Sequence, residues 1–410
     1  LSGEEYEKAL GRKIARHRKR RGLSQKEFAG LLDRSEAWVS QVERGVRRID
    51  RMTVLEKVAE VLDVPVAELA AEAPIVASVV EGEAPGASRL RLVLSTAHSL
   101  KAILGQSEPP DVPALRAGVD RAWALTHEGN YADLAELLEG LVPQLESATR
   151  AGASEEERAE LFRLLASMYH TCSAALANMG EPEAAWIAVD RAVVAAERAN
   201  DPLLMAAGEF RLSIVFIGAR HYGQAAQVSG SAADALVPLA ESGESDAVAL
   251  RGALTLQRAL AAGRLNQAEE AYEHLRLAKE LAERVGDGRN DYNTEFGPTN
   301  VALHEVAVAV DLGDAGVALR AAGTVDPSGL SPERQARFGI DLAKAHTQRR
   351  QVDDAVTALV NVRRTLPEMF RAKPAVKQLV ADLLAMSPLP SDQLRALASE
   401  LGVQEVRTGS

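Results

Sequence analysis

Along residues 4–70 the apolar side chains Ile14, Leu23, Phe28, Leu31, Leu32, Val39, Val42, Leu55, Val58 and Leu62 recur at spacings of three and four. That is the period of amphipathic helices sharing one core. The polar positions between them mark the ends. A first helix runs from about Glu4 to Arg21 and stops at Gly22; Ser24 caps a second, Gln25–Leu32. Ser35 caps a third, Glu36–Arg44, closed by Gly45. A fourth covers about Arg51–Leu62, and Pro65 precedes a fifth, Val66–Ala71. Only Asp33 and Arg34 separate the second helix from the Ser35 cap, which suits two helices crossing steeply.

The pattern then breaks. Pro74, Gly82, Pro85 and Gly86 sit among small residues, as in a linker. An apolar run follows from Arg89 to Leu104 and predicts one helix, which either packs on the body or pairs with its twin in a second copy. Residues 105–113 are a second break. Beyond it, long helical patterns alternate with short polar seams: Gly129-Asn130-Tyr131-x-x-Leu134, Gly180-x4-Ala185, Arg220-His221-Tyr222-x-x-Ala225, Gly263-x4-Ala268, Gly313-x4-Ala318 and Arg350-x4-Ala355. A small residue at the end of each seam lets the second helix approach the first. These seams resemble the turn of the tetratricopeptide (TPR) repeat, with longer helices and loops than its 34-residue period. Six pairs fill the segment, with a capping helix near Pro374–Ala385 and a final one at 391–401. The fold class expected is all-α: a five-helix head over 1–71, a linker and connecting helix over 72–112, a TPR-like α-solenoid over 113–402 and a tail over 403–410. Stacked pairs build a superhelix whose concave face binds a peptide, a protein segment or a small molecule.

Charge separates the two parts. The chain carries a net −11, but residues 11–51 hold 13 Lys/Arg against 5 Asp/Glu, while residues 71–410 hold 32 against 46. Phosphate attracts the basic head and the acidic body repels it, which keeps contact local. Within the head, Leu23-Ser24-Gln25-x-x-Phe28-Ala29 followed by Ser35-x3-Val39-Ser40-x-x-Glu43-x-Gly45 resembles the xenobiotic-response-element (XRE) family of helix-turn-helix regulators, related to phage repressor and Cro heads. The resemblance covers about residues 11–70. It implies that the third helix enters the major groove of double-stranded DNA. On matching positions Ser35, Glu36, Ala37, Ser40 and Gln41 face the bases: Gln41 suits adenine, Glu36 cytosine N4 and Ala37 a thymine methyl. Gln25 matches a phosphate-gripping position, and Arg44, Arg47, Arg48 and Arg51 add backbone contacts. Glu43 matches a position that braces the domain. Trp38 either packs partly against the second helix or the loop after Gly45, or contacts a phosphate or base through its indole N–H. The cluster Arg16–Arg21 divides between a solvated face and phosphate contact.

The body resembles that of actinobacterial regulators with such a head, through the segment Phe296-Gly297-Pro298-Thr299-Asn300-x3-His304. Asn300 and His304 lie four apart, on one helix face. They either line the groove, as effector-binding residues, or brace the interior. Trp186, Tyr169, Tyr222 and Tyr292 read as repeat core, and the lone Cys172, in an apolar run, as a small core residue. One cysteine precludes a disulfide framework within the chain and a cysteine-rich zinc site. His304-Glu305 lacks the second histidine of a zinc protease helix, and no phosphate-binding Gly-Lys-Ser/Thr loop or Gly-x-Ser-x-Gly elbow occurs, so no catalytic residue, metal or cofactor is expected. Acidic residues at 4, 5 and 7 interrupt any apolar leader, and no run of 18 apolar residues exists, so no membrane partner is expected and the place is the cytoplasm, at the nucleoid. The function expected is a homodimeric transcription regulator, reading a pseudo-palindromic operator and answering to a peptide or small-molecule effector in its body. The alternative is an interaction scaffold whose body docks a partner and whose head only tethers it to DNA.

Overall fold

The computed structural model describes residues 3–20, 23–47, 49, 52–62, 69, 86–95, 109–152, 154–387 and 389–403. Among them every regular element is helical and no strand occurs. They divide into two compact units, one within 1–82 and one within 83–405.

The head contains α1 (Gly3–Arg20), α2 (Gln25–Leu31), α3 (Glu36–Glu43) and α4 (Met52–Leu62). Ser24 and Glu27 cap α2 reciprocally: the Ser24 hydroxyl accepts from the Glu27 N–H at 3.1 Å and the Glu27 carboxylate from the Ser24 N–H at 2.8 Å. This capping box satisfies two donors that a helix start leaves open. Ser35 starts α3 by accepting from the Trp38 N–H at 3.2 Å. Ile14, Phe28, Val39, Val42, Leu55 and Val58 form one buried core. Leu31, expected in that core, is 52% exposed instead. It is the last residue of a helix only seven residues long, and Leu32 takes the buried place. Gly11 lets α1 run against the end of α3, since a Cβ there would collide with the Val42 carbonyl oxygen. The fifth helix of the head falls outside the described residues save Leu69, whose side chain is buried in the head core.

The body begins with α5 (Ala87–Val93), where the sequence pattern predicts one helix over Arg89–Leu104. α5 stops instead at a cap on Leu94, whose N–H bonds back to the Leu90 and Leu92 carbonyls, so the apolar run is not one continuous helix. α5 packs on the second helix of the first pair and its Leu90 and Val93 join the body core, so it belongs to the body and not to a free connector. Six helix pairs follow: α6 (Val112–Glu128) with α7 (Tyr131–Ala151), α8 (Glu155–Asn178) with α9 (Pro182–Arg198), and α10 (Pro202–Gly218) with α11 (Tyr222–Ala235). After the short α12 (Val237–Glu241) come α13 (Ser245–Arg264) with α14 (Ala268–Val285), α15 (Pro298–Leu312) with α16 (Ala315–Ala322), and α17 (Pro332–Gln348) with α18 (Val352–Thr365). α19 (Pro367–Ala372), α20 (Pro374–Met386) and α21 (Asp392–Glu400) close the body.

All six pairs turn the same way. Gly129, Gly180, Arg220, Asn266, Gly313 and Arg350 each take a left-handed backbone, with φ between 60° and 88°. Each lies in the same two backbone bonds: its own N–H reaches back three residues and the next N–H reaches back five, as in Asn130 to Leu125 and Gln351 to His346, both at 2.9 Å. These satisfy the last carbonyls of the first helix. Five residues after each turn stands Leu134, Ala185, Ala225, Ala271, Ala318 or Ala355, all fully buried at 0%. The fourth seam therefore differs from the sequence reading: Asn266 and Ala271 hold the positions assigned to Gly263 and Ala268. Asparagine tolerates the left-handed region almost as glycine does, so the glycine three residues earlier misled the register. Cys172 is buried in the core, as expected, and Tyr169 with it, whereas Trp186 is 50% exposed and packs its edge on Phe216.

The first helices of successive pairs pack on one another from α6 through α8, α10, α13, α15 and α17 to α20. The superhelix then closes: α17 also packs on α6. Gly129 lies against Leu366, the Tyr131 N–H donates to Glu368 at 3.1 Å, and Arg337 donates to the Asn178 amide oxygen at 2.8 Å. The open concave face expected from stacked pairs is thus replaced by a narrow axis, because the first pair meets the last. No helix of the described residues is long and apolar enough to cross a membrane.

The seam register can be tested by two substitutions three residues apart. Ala271→Leu is expected to destabilise the body by about 1–3 kcal/mol through overpacking, while Ala268→Leu, at an exposed position, is expected to change stability by less than about 0.5 kcal/mol. Denaturant unfolding of both variants reads the difference.

Candidate nucleic-acid interface and the axis of the body

α3 presents two faces. Val39 and Val42 are buried against the head core. Glu36, Ala37 and Arg44 are exposed, and Ser40 and Gln41 half-buried. Spacings of three and four put these five on one side of the helix. Ser35 is exposed at the start of α3, but its side-chain oxygen already caps the Trp38 N–H. Trp38 is half-buried, packs against the head core, and carries the Arg34 guanidinium 5.8 Å from its ring centre. Arg44 folds back to donate to the Ser40 carbonyl at 3.2 Å, and Arg47 is exposed in the turn that follows. Arg48 and Arg51 lie outside the described residues.

The position of α3 depends on an ionic brace. Arg18 of α1 donates through Nε and Nη2 to the two Glu43 oxygens, at 2.5 and 3.0 Å, and through Nη1 to the Leu23 carbonyl at 2.6 Å. Gln25 donates from its amide to Glu43 at 2.8 Å. One carboxylate thus ties together α1, the start of α2 and the end of α3. Both ionic side chains are under a tenth exposed, so the pair keeps a strength that surface pairs lose to solvent. The hydrogen bond that Arg18 donates to Glu43 raises the pKa of its guanidinium. Gln25, matched to a phosphate-gripping position, is committed in part to this brace. The run Arg16–Arg21 divides accordingly: Arg16 and Lys19 are exposed, while His17 and Arg18 are buried. Sequence reasoning missed Arg12, which recurs four residues before Arg16 and lines with Arg16 and Lys19 an open groove beside Glu43.

In the body, Asn300 and His304 share one face of α15 and are both buried, at 2% and 7% exposure. The Asn300 amide donates to the carbonyls of Thr294 (3.3 Å) and Glu295 (2.9 Å), and His304 Nδ1 meets the Asn300 carbonyl at 2.8 Å. Burial, reinforced by Arg334, pushes the His304 imidazole down to about 4, so it is neutral near pH 7. Their place is behind the loop 290–295, as its brace. The neighbouring Phe296 covers Gly252, and Thr299 bonds Asp287 through both N–H and hydroxyl, at 3.0 and 2.9 Å. The segment 296–304 is a packing joint.

That loop carries the axis. Tyr292, Asn293 and Glu295 take left-handed backbones, with φ of 50°, 56° and 50°, uncommon for side chains of this size. Arg211 Nη2 donates to the Tyr292 and Asn293 carbonyls, at 3.2 and 2.7 Å, and Arg334 Nη2 to the Thr294 carbonyl at 3.0 Å. Here a cavity of about 30 Å³ is lined by Arg211, Arg334, Arg337, Glu295 and Glu333 together with Trp123, His127, Ser173 and Asn178. Burial opposes ionisation of Glu333, but Arg337 and Arg334 hold its carboxyl down to about 2. Burial, then Arg334, lowers the Arg211 guanidinium to about 9. Nothing in the sequence marked these residues, because they come together from helices far apart in the chain.

Among the described residues no group of three His, Cys, Asp or Glu side chains could hold a metal ion. No curated protein matches the chain. Among solved structures, the crystal structure of Bacillus thuringiensis PlcR in complex with the peptide PapR7 and DNA aligns with 14% identity over 67% of this chain and 95% of that one. Its TM-score is 0.25, a loose likeness. Residues 9–71 match the helix-turn-helix domain family. The match coincides with the two capped helices α2 and α3 held across a short turn, and residues 9–71 are a helix-turn-helix domain.

Proposed function

We propose that the protein is a sequence-specific transcription regulator that binds double-stranded DNA through α3. The observation that carries this reading is the two-faced α3: a buried side locked by Glu43, and an outer side bearing Glu36, Ala37, Ser40, Gln41 and Arg44. A helix held by its back presents its outer residues to base edges without the cost of ordering its backbone. Gln41 offers the amide pair that suits adenine, Glu36 an acceptor for cytosine N4, and Ala37 a methyl for thymine. Ser35 faces the bases with them from the start of α3, Arg44, Arg47 and Arg48 with Gln25 supply phosphate contacts, and Trp38 supports the helix from its side.

As a homodimer the protein would set two such helices about one DNA turn apart, roughly 34 Å, on a pseudo-palindromic operator. The body is the sensor in this scheme: an effector that binds one arrangement of the closed superhelix better than another shifts the spacing of the heads. Asn300 and His304 contribute by holding the loop 290–295 that faces the axis. The reading of base edges is tested by selecting genomic fragments with the purified protein beside a Glu36→Ala/Gln41→Ala variant. An inverted repeat recovered by the first and lost by the second supports it; no shared sequence in either sinks it.

Three substitutions separate the roles. Gln41→Ala is expected to cost about 1–3 kcal/mol on the selected site and little on unrelated DNA, measured by titration against both. Arg44→Ala is expected to weaken all sites alike and to lower the slope of log affinity against log salt by about one. Glu43→Ala is expected to destabilise the head by about 3–5 kcal/mol, because it leaves Arg18 buried and unpaired. Hydrogen exchange of the α3 amides would speed up accordingly, while the sequence preference of the remaining folded protein stays unchanged.

A further inference from the structure

We propose that the axis of the helical body holds a small monovalent anion, either a free ion or the carboxylate of a larger ligand, against the guanidinium of Arg211. This names the ligand chemistry for the sensing part of the proposed function, and as a regulatory site it rests on that reading.

Three guanidinium groups, of Arg211, Arg334 and Arg337, line the cavity with two carboxylates, of Glu295 and Glu333. Both carboxylates are already committed. Glu333 accepts from Arg337 and lies 3.9 Å from Arg334. Glu295 accepts from the Ser331 N–H and hydroxyl, both at 2.8 Å, and lies 3.4 Å from Arg334. Arg211 pairs with no carboxylate among the described residues. It is nonetheless 6% exposed, and the attraction of Glu333 and Glu295 is offset by the repulsion of Arg334 and Arg337, so its charge is poorly balanced, which is costly in a medium of low polarity.

Geometry then shows which edge of Arg211 is open. Nη2 is used by the Tyr292 and Asn293 carbonyls. The faces of the group lie 5.0 Å from the Trp123 ring centre and 5.1 Å from that of Phe210. Nε has no hydrogen-bond partner but is sealed from the cavity, so the open edge is Nη1, which donates to no group among the described residues. A water molecule there would complete the hydrogen bond but leave the charge uncompensated; an anion does both. The buried Ser173 hydroxyl lines the same cavity and offers a second donor. A volume of about 30 Å³ admits a group of a few atoms and excludes a peptide chain. Because Arg211 comes from α10 while its neighbours Arg334 and Arg337 come from α17 and Trp123 from α6, an anion at this point bridges the beginning, middle and end of the superhelix.

The test uses the full-length protein. Thermal unfolding is followed at constant ionic strength in gluconate, which is too bulky for the cavity, with gluconate replaced stepwise by chloride, formate, acetate or phosphate. At least one of the first three is expected to raise the unfolding temperature by about 3 °C or more at a hundredfold excess over its half-effective concentration, with phosphate inert. A response to chloride and formate alone identifies a free ion. A response that extends to acetate and longer carboxylates identifies the head of a larger ligand. Arg211→Met keeps the stem and removes the charge; it is expected to abolish the anion response. Equal unfolding temperatures in all anions, or an unchanged response in Arg211→Met, would overturn the proposal. Should that variant fail to fold, the wild-type series decides alone. Affinity of the head for its selected DNA is a separate measurement, so a silent anion series counts against this site and not against the reading of α3.

Discussion

The body rests on one repeated contact: the side chain five residues past each left-handed turn, fully buried against the preceding helix. The turn sets the direction in which the chain reverses, and the buried residue sets how closely the two helices of a pair approach. Alanine at five of the six places permits near contact of the backbones, so dispersion acts over the whole length of each pair. The turn residue matters as much as the contact. A left-handed backbone is nearly free for glycine and tolerable for asparagine, yet Arg220 and Arg350 adopt it too. The paired backbone bonds and the buried residue beyond outweigh the local cost there. Tertiary packing thus overrides local preference at two of the six turns and agrees with it at the other four.

From that repetition follows closure. The first helix of each pair packs on that of the next, and after six pairs the last meets the first. The ends are joined by polar contacts: Tyr131 to Glu368, and Arg337 to Asn178. A closed stack has no wide groove, and its inner wall is crowded with long cationic side chains whose stems pack and whose heads seek partners. Removing such charges from water costs several kcal/mol each unless they are matched. Two of the three guanidinium groups at the axis are matched by carboxylates. The third, Arg211, relies on carbonyls and aromatic faces. The strained backbone of Tyr292, Asn293 and Glu295 belongs to this economy, since it aims carbonyl oxygens at Arg211 and Arg334.

The head solves a smaller problem by similar means. A domain of this size has little core, and α3 has only two fully buried residues. Glu43 supplies what apolar area cannot: a directional tie to Arg18 on α1 and Gln25 on α2. Gly11 permits the close approach that brings these groups together.

Much of this was legible along the chain. Periodicity, serine caps and left-handed turn residues are local properties, determined by backbone sterics and by hydrogen bonds spanning a few residues, so the first four helices of the head and all six pairs could be read from the sequence alone. The one register error, at Gly263, arose where asparagine did the work of glycine. Glu43 was recognisable as a brace through its motif, but its partner Arg18 was hidden in a basic run whose members look alike until burial separates them. Asn300 and His304 could be placed on one helix face, yet whether that face met a groove or an interior depended on how the pairs stack. The closure of α6 on α17 and the charge cluster around Arg211 were decided only by the tertiary structure. They depend on how helices about 200 residues apart in the chain come to pack together, and no local pattern records such a contact.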